Sequence, residues 1–221
     1  MQICMMDYGN LSADGKTAYL KCYGIGTFEV LTGVDFYINN PDCADHENAA
    51  IPPGTYWVTD RPAGSLYNRV RAEAIDAWHG YRNHHSEWFA LFSDKTKRDG
   101  IMVNGLNRTG FRLHPLNSDG SGESWGCITL RRSSDFQYLR RLLLQRGTFP
   151  VPGGNGLKAW ARIDVRGTPD YSLCDKETEA RKEADKRRTQ QALKKRAENR
   201  PCTRRCSPRW HICMSICAWK T

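Results

Sequence analysis

The chain has no run approaching the roughly 18 consecutive apolar residues of a membrane-spanning helix, so no transmembrane segment is expected. Its first residues, MQICMMDYGNLSADG, have neither the basic start nor the apolar centre of a secretory signal, and none is expected there. No internal repeat is present. No zincin pattern occurs either: His84 and His85 are adjacent, a spacing that sends two rings in different directions on a helix or a strand, so no metal and no cofactor is expected. Charge excess is also missing from most of the chain. The formal net charge is +9, yet residues 1–174 hold 19 Lys and Arg against 18 Asp and Glu, and residues 175–221 hold 14 against 6. The basic surplus belongs to the tail, and a nucleic-acid partner is not expected for the body.

What is present is a body rich in short β-like segments. Residues 17–23, 26–31, 54–59, 88–92, 101–103, 110–114, 127–130 and 159–165 carry aromatic and branched side chains, and Gly, Pro, Asn and Asp clusters separate them. This pattern predicts a mainly β fold, a sandwich or barrel with one or two short helices. The helices are expected over 69–78 and 134–146. The second has Ser134 as a candidate cap, Phe136, Leu139, Leu142 and Leu143 as a buried stripe, and Gly147 as its stop. Residues 1–168 are read as one domain and 169–221 as a basic, Cys-containing extension, helical or disordered. Over 176–200 Leu193 is the one large aliphatic side chain, so that segment has little to bury.

Nine cysteines are present. Four crowd the tail as Cys202-x3-Cys206 and Cys213-x3-Cys217 around His211, which superficially resembles a zinc or nucleic-acid element, although the usual pairs are C-x2-C. A binding module built on this tail is the non-enzymatic alternative. The other five cysteines raise the question of a nucleophile. Gly110-Phe111-Arg112-Leu113-His114-Pro115 is followed by a Gly/Ser/Asn/Asp loop and then by Ser124-Trp125-Gly126-Cys127-Ile128-Thr129-Leu130. A cysteine nucleophile needs a base, oxyanion donors and an open backbone. His114 is of the right type for the base, Gly126 removes a side chain beside the thiol, and Ser124 can bond the imidazole or the backbone to orient the pair. On these residues alone the alternative stays open, a buried Cys serving as a small hydrophobe beside a satisfied His.

His-x(n)-Ser-x-Gly-Cys-Ile-x-Leu resembles the signature of the YkuD-type L,D-transpeptidase catalytic domain. Further segments are similar to one branch, the type VI secretion L,D-transpeptidase effectors: Asn39-Asn40-Pro41, Ala50 to Val58, Asp60-Arg61-Pro62, Trp88-Phe89-Ala90-Leu91 and Phe111 to Pro115. The resemblance covers roughly residues 7–165. It differs from the broader pattern at Trp125, where many members have His, and at Thr129, where many have Arg; Arg112, Arg131 and Arg132 keep positive charge nearby. It implies a thioester acyl-enzyme on Cys127, with His114 as base, backbone amides at Gly126 and Cys127 as oxyanion donors, and Arg112 and Trp125 as substrate-binding residues. The implied substrate is a peptidoglycan tetrapeptide stem, and the implied outcome is L,D-carboxypeptidase trimming or D-amino acid exchange. The implied partners are the secretion apparatus and a cognate immunity protein, with delivery to the periplasm of target bacteria. A housekeeping cell-wall L,D-transpeptidase is the alternative within the same chemistry. The aromatics Trp57, Tyr81, Trp88 and Trp125 are candidates for lining a groove, with core packing as the other reading.

Overall fold

The computed structural model describes residues 1–60, 87–116 and 124–198, together with the backbone of two further strands in the tail. The helix expected over 69–78, with His84, His85 and Tyr81, lies outside the described residues. Met1–Thr178 forms one compact unit and Glu179–Thr221 a second.

The first unit is a closed eight-stranded barrel. Its strands are β1 (Gln2–Asp7), β2 (Ala18–Cys22), β3 (Gly26–Leu31), β4 (Gly54–Asp60), β5 (Phe89–Ser93), β8 (Arg112–Pro115), β9 (Ile128–Leu130) and β12 (Ala161–Arg166). Around the barrel they run β1-β12-β4-β5-β8-β9-β3-β2. Two hairpins flank it, β6 (Gly100–Val103) with β7 (Leu106–Thr109), and β10 (Phe149–Pro150) with β11 (Lys158–Ala159). The mainly β expectation is met, and closure leaves the long sheet without an exposed edge.

Two of the barrel pairings are parallel, β1 with β12 and β8 with β9. The first joins the beginning of the chain to its later part. β1 went unrecognised in the sequence because Met, Cys and Gln are weak strand markers, yet its burial alternates strictly and Cys4 and Met6 face the core. Met6, Leu20, Val30, Tyr56, Val58, Leu91, Phe111, Leu113, Ile128 and Ile163 fill the interior.

Helix α1 (Ser133–Arg146) packs Phe136, Leu139 and Leu143 against that core, and Gly147 ends it at φ 74°, where a residue without Cβ is favoured. Its start differs from expectation: Arg132 is the cap residue, with no capping side chain, and Ser134 lies inside the first turn. Asp135 in that turn complements the exposed N–H groups and pairs with Arg132 at 3.8 Å, so the positive N-terminal end of the helix meets a carboxylate without a serine cap.

The segment between β3 and β4 is fastened to the barrel by side chains rather than by strand pairing. Tyr8 donates to Ile51 O at 2.6 Å, Tyr56 donates to Pro52 O at 2.7 Å, and the Ile51 N–H donates to Thr32 Oγ1 at 2.8 Å. A disulfide between Cys43 and Cys174 ties the same segment to the start of helix α2 (Cys174–Glu198). A second disulfide, Cys4–Cys22, staples β1 to β2 at directly opposed positions.

In the second unit, α2 carries no apolar stripe, and Leu193 is exposed. It holds helical register with spaced ion pairs, Lys182–Glu179 and Arg187–Glu183. Strands β13 (Arg204–Cys206) and β14 (Cys213–Ser215) pair antiparallel with Cys206 opposite Cys213. Cys202, Cys217 and His211 lie outside the described residues. No helix among the described residues is long and apolar enough to cross a membrane.

Loop-closure entropy ranks the two disulfides. Cys43–Cys174 spans 131 residues and Cys4–Cys22 spans 18, which corresponds to about 5 and about 3 kcal/mol of unfolded-state restriction. Paired serine substitutions at 43 and 174 are therefore expected to lower the urea midpoint more than the pair at 4 and 22. The comparison is made by equilibrium unfolding under oxidising conditions.

Candidate active site

Strands β8 and β9 run side by side with Leu113 opposite Ile128 and His114 opposite Thr129. Leu113 and Ile128 are both essentially buried and anchor the register in the core. The pleat then turns His114 and Thr129 to the other face together, and Thr129 Oγ1 lies 3.2 Å from His114 Nε2. One step back along the register, Cys127 comes level with Arg112, whose backbone N–H donates to the thiol. Arg112 and His114 are two residues apart, about 7 Å of strand, on the same face. The structure thus places His114 on β8 and Cys127 immediately before its parallel neighbour β9.

The imidazole is held at three points. His114 Nδ1 lies 2.8 Å from Pro115 O. A carbonyl only accepts, so in the neutral ring Nδ1 carries the proton and Nε2 presents its lone pair. Thr129 hydroxyl meets that lone pair. Trp88 stacks on the ring with centroids 4.1 Å apart and planes 18° apart, which fixes its tilt. Trp88 was a groove candidate in the sequence; its observed contact is with the candidate base itself.

The nucleophile candidate is held by a tight turn. Gly126 N–H donates to Ser124 O at 2.6 Å, and Ser124 Oγ donates to Cys127 O at 2.6 Å. Of the two partners open to Ser124 in the sequence, the backbone is the one it bonds. Gly126 has φ 87°, a left-handed conformation that side chains disfavour. A Cβ there would also overlap Arg108 Nη2 and approach Phe111 Cε1 to 2.8 Å. The glycine is thus required twice, by its dihedral and by its neighbours.

Cys127 is the free cysteine among the described residues and is buried. Its Sγ lies 3.8 Å from Gly110 O. Burial pushes the thiol up to about 11, against smaller lowering effects from the Arg112 N–H and from the Arg112 and Arg108 cations. The resting sulfur is a neutral thiol, and attack requires a base.

The remaining sequence candidates divide. Trp125 is 58% exposed and, with the 31–38 segment and Asn48, lines a cavity of about 350 Å³. Arg112 grips Asp99 through both nitrogens, Nη1 to Oδ1 at 2.8 Å and Nη2 to Oδ2 at 2.7 Å, so its fork is already occupied. Trp57 belongs to a small core cluster and stacks edge-on with Phe149. Arg108 drew no attention in the sequence, since a lone arginine in Leu106–Thr109 has no distinguishing spacing; it is buried directly behind Gly126.

One set of metal-ligand types lies together among the described residues: His46, Cys174 and Asp175, with ligand atoms within 4.8 Å of one another. Cys174 sulfur is bonded to Cys43, which removes it as a thiolate ligand.

Two outcomes follow from this geometry. Iodoacetamide labelling of Cys127 in the resting protein, followed on its peptide by mass spectrometry, is expected to rise about tenfold per pH unit from pH 7 toward 10, because the thiolate fraction grows with pH below a raised pKa. A rate already level at pH 7 contradicts the neutral thiol. Gly126→Ala is expected to destabilise the fold by about 2–3 kcal/mol in equilibrium unfolding, through strain and overlap combined.

The family model of the Tlde1 domain matches residues 26–154, which include His114, Ser124, Gly126 and Cys127. No curated protein matches the chain.

Proposed function

The chain belongs to the Tlde1 domain family, a family of type VI secretion effectors with a peptidoglycan-modifying theme, and we propose that it is a cysteine-dependent L,D-carboxypeptidase and D-amino acid-exchanging L,D-transpeptidase acting on tetrapeptide stems. The observation that carries this reading is the pairing of β8 with β9, with an oriented histidine on β8 and a free, buried cysteine immediately before β9.

In the proposed reaction the Thr129 hydroxyl turns away from His114 Nε2, which then takes the Cys127 proton as Sγ attacks the carbonyl that precedes the terminal D-alanine. The Pro115 carbonyl holds Nδ1–H and supports the positive charge the ring then acquires. The oxyanion is received by the Cys127 backbone N–H, while the Gly126 N–H, a donor implied by the family resemblance, is held by Ser124 O. Collapse breaks the C–N bond, the imidazolium returns its proton to the departing D-alanine amine, and a thioester remains on Cys127. Water then releases a trimmed tripeptide stem, or the amine of a free D-amino acid takes its place. Neither route calls for a cofactor. Trp125 and the adjoining cavity are the proposed contact for the stem.

The family assignment fits partners of two further kinds, the type VI apparatus and a cognate immunity protein, and delivery into target cells. The finer proposal is that the site of action is the periplasm, where the stems are, and that the immunity protein occludes the Cys127 cleft.

Purified protein incubated with muropeptides bearing tetrapeptide stems is expected to release D-alanine, read by mass spectrometry, and to incorporate a labelled D-amino acid when one is supplied. Cys127→Ala should abolish both products, and His114→Ala should slow them by about 10²–10⁴-fold. Undiminished cleavage by Cys127→Ala would remove Cys127 as the nucleophile.

A further inference from the structure

Arg108 is a buried cation whose partners are neutral. It is 4% exposed. Nη1 donates to the carbonyls of Ala44 at 2.5 Å and Ala50 at 3.5 Å, and Nη2 donates to Ala49 O at 2.8 Å. The Phe111 ring lies against the guanidinium, 5.4 Å from centroid to carbon. None of the described ion pairs includes it. Asp45, the carboxylate that bears on it electrostatically, contacts His46 and Asn104 with its two oxygens. Burial lowers the pKa of Arg108, the direction expected for a cation short of an anion. A buried charge held only by dipoles is costly, and proteins seldom keep one without use for it.

The other side of the guanidinium faces the turn that carries the nucleophile. Nη2 lies so close to Gly126 that a methyl group on that Cα would overlap it. Arg108 and Cys127 act electrostatically on each other. Arg112 also acts on the thiol, but its charge is balanced by Asp99. Arg108 is therefore the cation near Cys127 that has no described carboxylate of its own.

We infer that Arg108 is the standing counter-charge for the anion formed at Cys127, first the thiolate and then the oxyanion, and that it also positions the Gly126 turn by clamping the 44–50 segment behind it. The inference rests on the reading of Cys127 as nucleophile. No bond to Arg108 forms or breaks. At rest the thiol is neutral and three carbonyls hold the guanidinium. When His114 removes the proton, negative charge appears beside a cation that is already fixed, so little reorganisation is needed. Arg108 is a positioning residue, since its contacts are with Gly126 and the loop.

The test uses the full chain with Arg108→Gln and Arg108→Lys. Alkylation of Cys127 at pH 8 is followed on its peptide with a neutral reagent, iodoacetamide, and an anionic one, iodoacetate. Loss of the cation is expected to raise the thiol pKa, which lowers the iodoacetamide rate about threefold in the Gln variant, and the iodoacetate rate further. Lysine, which keeps the charge but not the fork, should recover most of both rates. D-alanine release by the Gln variant should fall about 100-fold in kcat with KM within about threefold. A folded Gln variant that alkylates at the wild-type rate with the wild-type reagent ratio overturns the inference, and Arg108 is then a loop clamp alone. If the Gln variant does not fold, wild type and Arg108→Lys are each compared with the unfolded chain, and absence of a folded-state preference for iodoacetate overturns it. Turnover by Cys127→Ala would instead remove the underlying reading, whatever the Arg108 variants do.

Discussion

The parallel pairing of β8 with β9 is the constraint on which the site depends. Antiparallel neighbours can be joined by a two-residue turn, but parallel neighbours require the chain to travel back before it pairs again. Here β8 ends at Pro115 and β9 begins at Ile128, and the nucleophile candidate stands immediately before β9. The register is held from the core side, by Leu113 against Ile128. A slip of one residue would turn leucine toward the cleft and histidine into the core. The core contact and the chemical contact are thus two faces of one pairing, and α1, which packs against both strands, reinforces it from outside.

Much of this was legible in the sequence, for identifiable reasons. The segments bounded by Gly, Pro and Asn became strands close to the expected limits, with β3 matching at both ends. The His114 and Cys127 segments became candidates through their resemblance to a family signature, since their spacing alone left a buried Cys and a satisfied His open. What was hidden is what distance in the chain hides. β1 has weak strand composition and acquires its state from β12, some 160 positions later. The Cys43–Cys174 bridge cannot be deduced from spacing. Arg108 is an ordinary arginine until the barrel places it behind Gly126. Thr129 shows both sides of the matter. As a departure from a familiar motif it suggested a missing charge, and in the fold it is the hydroxyl that meets His114 Nε2. The family match begins at β3 and ends before β12, so the strands that close the barrel lie beyond it, and the need for closure had to come from physical packing.

The five cysteines of the first unit have two opposite jobs. Cys4, Cys22, Cys43 and Cys174 form bonds that persist where the surroundings are oxidising. A free thiol in the same chain is exposed to the same oxidants and to exchange with those disulfides. The reactive species in both processes is the thiolate. Burial of Cys127, which raises its pKa to about 11, keeps the sulfur protonated and so withdraws it from that chemistry. The protection is bought with reactivity, and the proposed mechanism must recover it when a stem peptide is bound. The oriented Nε2 of His114 supplies the proton acceptor, and the guanidinium behind Gly126 is proposed to supply the charge. On this account a high resting pKa and a buried arginine with no carboxylate partner among the described residues are one arrangement. Each would be a defect alone, and together they confine the anion to the moment when an acyl group is there to receive it.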